Sequence, residues 1–355
     1  MLFHVDDKKD ALIGWVLPDN PKAIPSIRIL KPDGSSIEVE ANALRTDLRD
    51  RGGHETGMIG FNLTKRTHAE IMEFADEIEI REVQTNAVIF RRFHESMHIN
   101  KKLFRFELRA MPDPHLEGLF AKRFTYAYGA VQRYPQDTFF GIFNNPNAKS
   151  IYIAGCPKYQ QYEQMLRQRQ YMVVALIRDP YEEMAERLLF ARYASSPNAP
   201  SFIAEHIFGL EPLVEMVRKI KFGDTDSIRA AFDAITPQQR DVLNNPLVRA
   251  LACPVEQPPK MSHVPIALSK LSHMDLVGIS SRFAEFKSVL QETIGVDVLE
   301  SYQLTSLSWV QRIAAQLPEV RQARNLISLD LELYAYAEEA ISEALGPPPV
   351  SEKVA

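Results

Sequence analysis

The 355-residue sequence has only two cysteines, Cys156 and Cys253, far apart along the chain. That count excludes a disulfide framework and a cysteine-rich zinc site. Positive charge is not in excess. Lys and Arg number 41 against 46 Asp and Glu, a formal net charge of -5, which argues against a sequence-independent nucleic-acid binder. Any anion site must therefore be local. No apolar run approaches the roughly 18 residues needed to span a bilayer. The longest, within Tyr171 to Ile177, suits a buried strand. The first residues lack the basic start and long apolar run of a signal peptide. The expectation is a cytoplasmic protein without a transmembrane segment. No G-x-x-x-x-G-K-[ST] occurs, and no serine sits in a nucleophile elbow, so neither a nucleotide triphosphatase nor a serine hydrolase is supported. His94 and His98 lie four apart but lack a third ligand, and no metal is expected.

What is present is an ordinary globular composition, 45% hydrophobic and 25% charged. That is enough to bury a core, and the length suits two domains. Residues 11–92 read as short strands between turns. Ser26 to Leu30 alternates and stops at Lys31-Pro32-Asp33-Gly34, where Pro presets one turn residue and Gly supplies positive φ. Ile37 to Glu40 alternates again as its hairpin partner. Gly57 to Leu63, Glu77 to Val83 and Thr85 to Phe90 are further strands, with a possible helical turn at His68 to Phe74. This spacing predicts an antiparallel β-sandwich. Trp15 lies inside an apolar strand and reads as a core residue. Arg45 and Asp47 read as an ion pair.

After Arg92 the pattern changes. Leu103 to Glu107, Ile151 to Ala154 and Met172 to Ile177 read as strands of one parallel sheet, with Met274 to Ile279 near them. Leu116 to Tyr134 has helical spacing. Residues 200–252 read as helical with breaks at Gly223-Asp224 and Thr236-Pro237, residues 254–265 as a loop, and Asp330 to Leu345 as a last long helix. The domain expectation is 1–97 for the β module, 98–346 for an α/β domain and 347–355 for a disordered tail.

The stretch Val173 to Tyr193 carries the most chemistry. An apolar strand ends in Arg178-Asp179-Pro180 and runs into a helix. In an open parallel sheet ligands bind at the carboxyl ends of strands, and a helix N-terminus offers free N–H groups to an anion. Arg178 adds a fork of donors suited to phosphate. Read for structure alone, Asp179 caps the helix and Arg178 pairs with a carboxylate.

This strand, RDP, helix element resembles the 3′-phosphate-binding element of sulfotransferases, particularly those acting on carbohydrates. Three further pieces match in order: Tyr152 to Pro157, similar to a strand ending in Gly-His; Asp275 to Ile279 with Arg282-Phe283 and Gly295; and Asn325 with Leu329 to Tyr334. The resemblance covers residues 100–345. It implies a P-loop-type parallel sheet with flanking helices, the donor 3′-phosphoadenosine 5′-phosphosulfate, and in-line sulfuryl transfer to a hydroxyl, with no metal. It implies donor binding at Arg178 and Asp179, with Glu186 at a matching position of the helix and Cys156 at the position of the base; near the altered turn Arg105 and Arg109 are the groups that could stand in for donor binding, and Glu107 for the base if burial raises its pKa. The acceptor it implies is a bacterial surface or capsular glycan.

The chain departs from the family at several of these positions. Glu183 and Glu186 stand where the family carries Arg and Ser, and carboxylates there would repel a 3′-phosphate. The turn after the first parallel strand, within Phe104 to Pro114, has no Gly and no Lys and carries two prolines, which donate no hydrogen bond. The Gly-His position reads Gly155-Cys156. The alternative is accordingly a catalytically inactive relative that binds a glycan or a protein partner in a polysaccharide-synthesis complex. Gly14-Trp15, Arg45, Asp47 and Gly60-Phe61 resemble a small β module appended to bacterial glycan-handling enzymes. A glycosyltransferase is supported by that module alone. The lone D-x-D match, Asp224-Thr225-Asp226, falls between helices.

Overall fold

Side-chain alternation organises the first ninety residues. A computed structural model describes residues 1–346 apart from 9, 75–76, 93–97, 146–147, 201–202, 204–206 and 255–256. The strands are β1 (Leu2–Asp7), β2 (Ala11–Leu17), β3 (Ser26–Leu30), β4 (Ser36–Glu40), β5 (Ala43–Leu44), β6 (Met58–Thr64), β7 (Glu79–Glu82) and β8 (Val88–Arg91). They pair antiparallel in two sheets, ordered β1-β2-β6-β5 and β4-β3-β7-β8. Every second residue of β2 and β3 is buried, the signature of a sheet with one face on the core. The Lys31 to Gly34 turn closes β3 onto β4, with Gly34 at φ +84° and its N–H on Lys31 O at 3.0 Å. Two short helices, α1 (Thr46–Asp50) and α2 (Ala69–Met72), interrupt the strands, α2 within the stretch compatible with a helical turn.

The second half is α/β. The strands β9 (Lys102–Phe106), β10 (Tyr126–Tyr128), β11 (Ile151–Gly155), β12 (Met172–Ile177) and β13 (Leu276–Ile279) form a five-stranded sheet ordered β10-β11-β9-β12-β13. The pairs β10–β11 and β12–β13 are parallel. The expected parallel sheet is thus present, with β12 inside it. One reading needs correction. Leu116 to Tyr134 is not a single helix: α3 (Pro114–Ala121) ends early and the chain turns into the edge strand β10. The aromatic residues of β10 favour a strand, and Tyr128 is sealed in the core with its hydroxyl on Val88 O at 2.5 Å. Arg91 Nη1 donates to Ala121 O at 2.6 Å and so satisfies a carbonyl where α3 stops.

The remaining helices are α4 (Gln136–Phe143), α5 (Tyr159–Gln168), α6 (Pro180–Ala194), α7 (Val214–Lys219), α8 (Thr225–Asp233), α9 (Pro237–Leu243), α10 (Pro246–Ala252), α11 (His263–Ser272), α12 (Phe283–Ile294), α13 (Ser308–Gln316), α14 (Arg321–Leu326) and α15 (Ser328–Leu345). The two expected breaks fall where read, each with a mechanism. Asp224 caps α8, and Thr236 with Gln239 makes a capping box on α9. The stretch 254–265 is not wholly a loop, since α11 already begins at His263. The predicted disordered tail, 347–355, lies outside the described residues.

By proximity the chain falls into two compact units: Met1–Leu103 with Glu117–Ala154 and Met165–Tyr171, and Phe104–Leu116 with Gly155–Gln164 and Met172–Ala355. The second unit has its own helical core, in which Phe190, Leu213, Val217, Phe232, Ile313 and Leu317 are completely enclosed. That core fixes α6, which carries the chemistry described next. Among the described residues no helix is long and apolar enough to cross a membrane.

Candidate functional site

The carboxyl ends of β9 and β12, with the start of α6, assemble the charged residues that the sequence singles out. Helix α6 begins as its letters dictate. Asp179 Oδ1 accepts from Tyr181 N at 2.8 Å and Glu182 N at 3.1 Å, and Pro180 occupies the first helical position. Asp179 is thus a helix cap, as its structural reading anticipates. Its carboxylate takes two N–H groups that an anion at this helix start would need.

Helical spacing then carries Glu183, Glu186 and Arg187 inward. Glu183 and Glu186 are both buried, and burying a carboxylate is costly unless it is paired. Glu186 is the better supplied. Its Oε1 accepts from the backbone N–H groups of Ala110 at 3.0 Å and Met111 at 2.9 Å. Its Oε2 takes Arg178 Nη1 at 2.6 Å. Arg109 Nε stands 3.8 Å from the same oxygen. This overturns the expected turn geometry. A segment without Gly or Lys nonetheless presents two converging N–H groups, and Glu186 fills the space between them. Pro112 and Pro114 remove no donor from this pair, because the pair is supplied by positions 110 and 111.

The turn is held independently on its other sides. Arg187 Nη2 donates to Leu108 O at 3.1 Å. Arg109 Nη1 pairs with Asp113 Oδ2 at 2.7 Å, and the Tyr302 hydroxyl donates to the same oxygen at 2.7 Å. Asp113 Oδ1 accepts from Leu116 N at 3.0 Å at the start of α3. The Arg109 guanidinium stays charged. Burial opposes its charge, but Glu186, Glu107 and Tyr302 outweigh that and raise its pKa. Arg178 behaves alike, with burial overcome by Glu183 and Glu186.

Arg105 pairs with Glu107 at 2.7 Å. Glu183 reaches Arg178 and Arg187 only at 3.6 Å each, and its Oε1 has no hydrogen-bond partner among the described residues. Burial pushes its carboxyl up to about 7, Arg178 and Arg187 pull it down, and Glu186 and Glu107 add to the rise. Cys156 follows β11, and burial pushes its thiol up to about 12, against the pull of Arg187. A thiol held that high is neither a nucleophile nor a base near neutral pH.

No protein-family model matches the chain. No curated protein matches it either. Among solved structures the chain is similar to mouse sulfotransferase SULT7A1 complexed with PAP, at 13% identity over 72% of this chain and 89% of that one, with a TM-score of 0.28. At that identity and score the similarity bears on neither activity nor ligand.

The site therefore stands on its own geometry. The structure brings together Glu107, Arg105, Arg109, Arg178, Asp179 and Glu186 around the ends of β9 and β12, with Cys156 at the end of β11. Sequence reasoning missed Asp113, Tyr302 and Arg187 as supports of the turn. Asp113-Pro114 is a legible helix start, whereas nothing in the sequence pairs Tyr302 with a residue 189 positions away. The later motif residues are structural. Gly278 has no room for a side chain, since a Cβ would lie 2.4 Å from the Phe286 ring. Asp330, buried, accepts from Leu247 N at 3.0 Å and Val248 N at 2.8 Å and caps α10. Asn245 returns the favour by accepting from Leu329 N at 2.8 Å. In the N-terminal module Arg45 and Asp47 are paired at 2.8 Å as expected. Trp15 is not a core residue: it lies on the half-buried face of β2 with the Arg45 guanidinium 5.6 Å from its ring centroid. Among the described residues no group of three or more His, Cys, Asp or Glu could hold a metal ion.

Proposed function

We propose that this chain is a non-catalytic protein of sulfotransferase-like architecture, acting by binding a glycan or a protein partner in polysaccharide synthesis. The architecture rests on the order of the motifs along the chain and on their places in the parallel sheet: RDP between β12 and α6, Gly155-Cys156 closing β11, Gly278 in β13. One observation carries the non-catalytic reading. The Glu186 carboxylate occupies the N–H pair of Ala110 and Met111 and takes the Arg178 guanidinium. The residues present therefore do not fit 3′-phosphoadenosine 5′-phosphosulfate. The donor's anionic groups would meet a buried carboxylate where they need free donors, and Asp179 adds negative charge at the start of the same helix. The base candidates support the same reading, since Glu107 is tied to Arg105 and the Cys156 thiol is held protonated.

Calorimetry with 3′-phosphoadenosine 5′-phosphate tests this. The parent chain is expected to show no binding at millimolar ligand. Saturable binding in the micromolar range, lost on Arg178→Ala, would instead support the enzymatic reading, sulfuryl transfer to a glycan hydroxyl. One observation keeps that second reading in view: both amides of the turn, with Arg109 and Arg178, stand around Glu186.

A further inference from the structure

The link from α8 into α9, with one face of α9, borders a surface pocket of about 340 Å³ lined by Ile235, Pro237, Arg240, Asp241 and Asn244. The last four recur at the spacing of a single helical face, so they stand in a row along α9. The volume lies at the low end for small-molecule sites and suits a compact ligand. The row changes character along its length. Ile235 is half-buried and packs in part on the helical core of the second unit, and Pro237 continues its apolar wall. Arg240 is exposed, and its guanidinium has no hydrogen bond or ion pair among the described residues. Asn244 is oriented by a relay. Asn245 Oδ1 accepts from the backbone N–H groups of Leu329 at 2.8 Å and Asp330 at 3.1 Å. Asn245 Nδ2 is therefore the donor to Asn244 Oδ1, at 2.8 Å. That leaves Asn244 Nδ2 as a donor with no partner among the described residues. Asp241 is the one acid of the row. Its Oδ1 takes Arg249 Nη2 at 2.7 Å, and its Oδ2 has no partner among the described residues.

A ligand that answers the whole row carries three groups. Arg240 and Asn244 lie one turn apart, so their donors meet on one carboxylate. A carboxylate alone would be repelled by Asp241, whereas an ammonium beside it pairs with the free Asp241 oxygen. A short apolar side chain then covers Ile235 and Pro237. We infer that this pocket binds a free α-amino acid with an apolar side chain, held at its carboxylate by Arg240 and Asn244 and at its ammonium by Asp241. The wall is formed in advance. Thr236 and Gln239 close a capping box at the start of α9, and Gln239 and Leu243 bury its opposite face. Asn245 ties its far end to the start of α15. Groups fixed beforehand lose less freedom when a ligand arrives. The Arg249 hydrogen bond outweighs burial and holds the Asp241 carboxyl below its usual range, so Asp241 is a carboxylate at neutral pH. The pocket uses none of the residues at the ends of β9 and β12, and the inference does not depend on the function proposed above.

The test is calorimetry on the full chain with L-leucine and with three compounds that each lack one of its groups. Isocaproate has no ammonium, isoamylamine has no carboxylate, and the amino acid glycine has no side chain. L-leucine is expected to bind saturably with a Kd of about 1 mM or below, the range that a few charged hydrogen bonds supply. Each of the other three should bind at least about tenfold more weakly, the factor that one charged contact carries. Arg240→Ala should weaken leucine binding by at least about tenfold. Its thermal unfolding should match the parent's, since Arg240 is exposed and supports no contact among the described residues, and this separates a lost ligand contact from a lost fold. Asp241→Asn should erase the preference for leucine over isocaproate. No saturable binding of leucine up to about 10 mM would overturn the inference. Equal binding of leucine and isocaproate by the parent chain, or leucine binding unchanged in Arg240→Ala, would overturn it as well.

Discussion

Two segments of the site compare in opposite senses with the pattern that the sequence resembles. At Arg178-Asp179-Pro180 the letters are kept and the chemistry is diverted. Asp179 spends its carboxylate on the first amides of α6, and Arg178 is taken up by Glu186. At Leu108 to Pro114 the letters differ from that pattern, yet Ala110 and Met111 aim their N–H groups at one oxygen. Glycine eases the approach of backbone to an anion but is not required for it. What decides is whether the chain can hold successive amides in convergence, and here packing and ion pairs do so. The lesson is that a motif reports residue identity, whereas an anion site depends on donors left unspent.

The contrast is broken most forcefully at Arg178. Arg178→Ala leaves the buried carboxylates of Glu183 and Glu186 without their shared partner. Breaking a buried pair from one side typically costs about 3–5 kcal/mol, and a loss of that size is expected in chemical denaturation. Removing both charges should cost less than the sum of the two single changes, because the partners are in contact. Strict additivity between Arg178→Ala and Glu186→Gln would mean that the two do not act as a unit.

A smaller effect should appear in the pH dependence. The Glu183 carboxyl is raised by burial from 4.5 to about 7, and Asp330, also buried, from 3.8 to about 6. Both folded values exceed the unfolded ones, so the native chain holds more protons within these windows. Stability should therefore fall as pH rises through them. Above about pH 6 Glu183 carries more of the fall than Asp330, and the Met1 amino group, lowered by burial from 8.0 to about 6, opposes it. Glu183→Gln should flatten the decline between pH 6 and 7 while leaving the lower part, due to Asp330, in place. An unchanged slope between pH 6 and 7 would show that Arg178 and Arg187 already keep Glu183 ionised.

Periodic features of the fold were legible because each reports a local rule. Alternation gave the antiparallel strands, and the apolar run Val173 to Ile177 gave an interior parallel strand. Thr236-Pro237 gave a helix start. The strand Tyr126–Tyr128 was not legible, since Leu119, Phe120, Phe124 and Tyr128 fit a helical period until Tyr128 finds Val88. At the site the cast was legible and the roles were not. Arg178, Asp179, Glu183 and Glu186 all stood out, but nothing in the order of letters says that Glu186 reaches back to residues 75 and 76 positions earlier. Partnership across such separations is a property of packing. Glu186 consequently read as a charge repelling a phosphate rather than as the group occupying its place.

Asp179→Ala separates the two jobs that the RDP element combines. If Asp179 is a cap, the variant should lose about 0.5–2 kcal/mol, the usual cost of removing such a residue. The mutation should leave the Arg178–Glu186 pair intact. A much larger loss would mean that Asp179 also braces Arg178, and the kept letters would then matter for more than starting α6.

The smallest effect is expected at Pro112, where sequence reasoning places the greatest weight. The absence of glycine and the presence of two prolines mark this turn as unable to cradle an anion. Pro114 opens α3, where a missing N–H costs nothing, and Pro112 follows the two donors rather than interrupting them. Pro112→Gly should therefore lower stability by no more than about 1 kcal/mol, through added freedom of the unfolded chain. It should create no binding of 3′-phosphoadenosine 5′-phosphate while Glu186 is in place. The same change added to Glu186→Ala should alter nucleotide binding little. If Pro112→Gly alone opened the site, the turn's composition would be what closes it and Glu186 a bystander. If it does nothing while Glu186→Ala does much, the closure lies in one side chain on α6, and the absence of glycine from the turn is not what closes it.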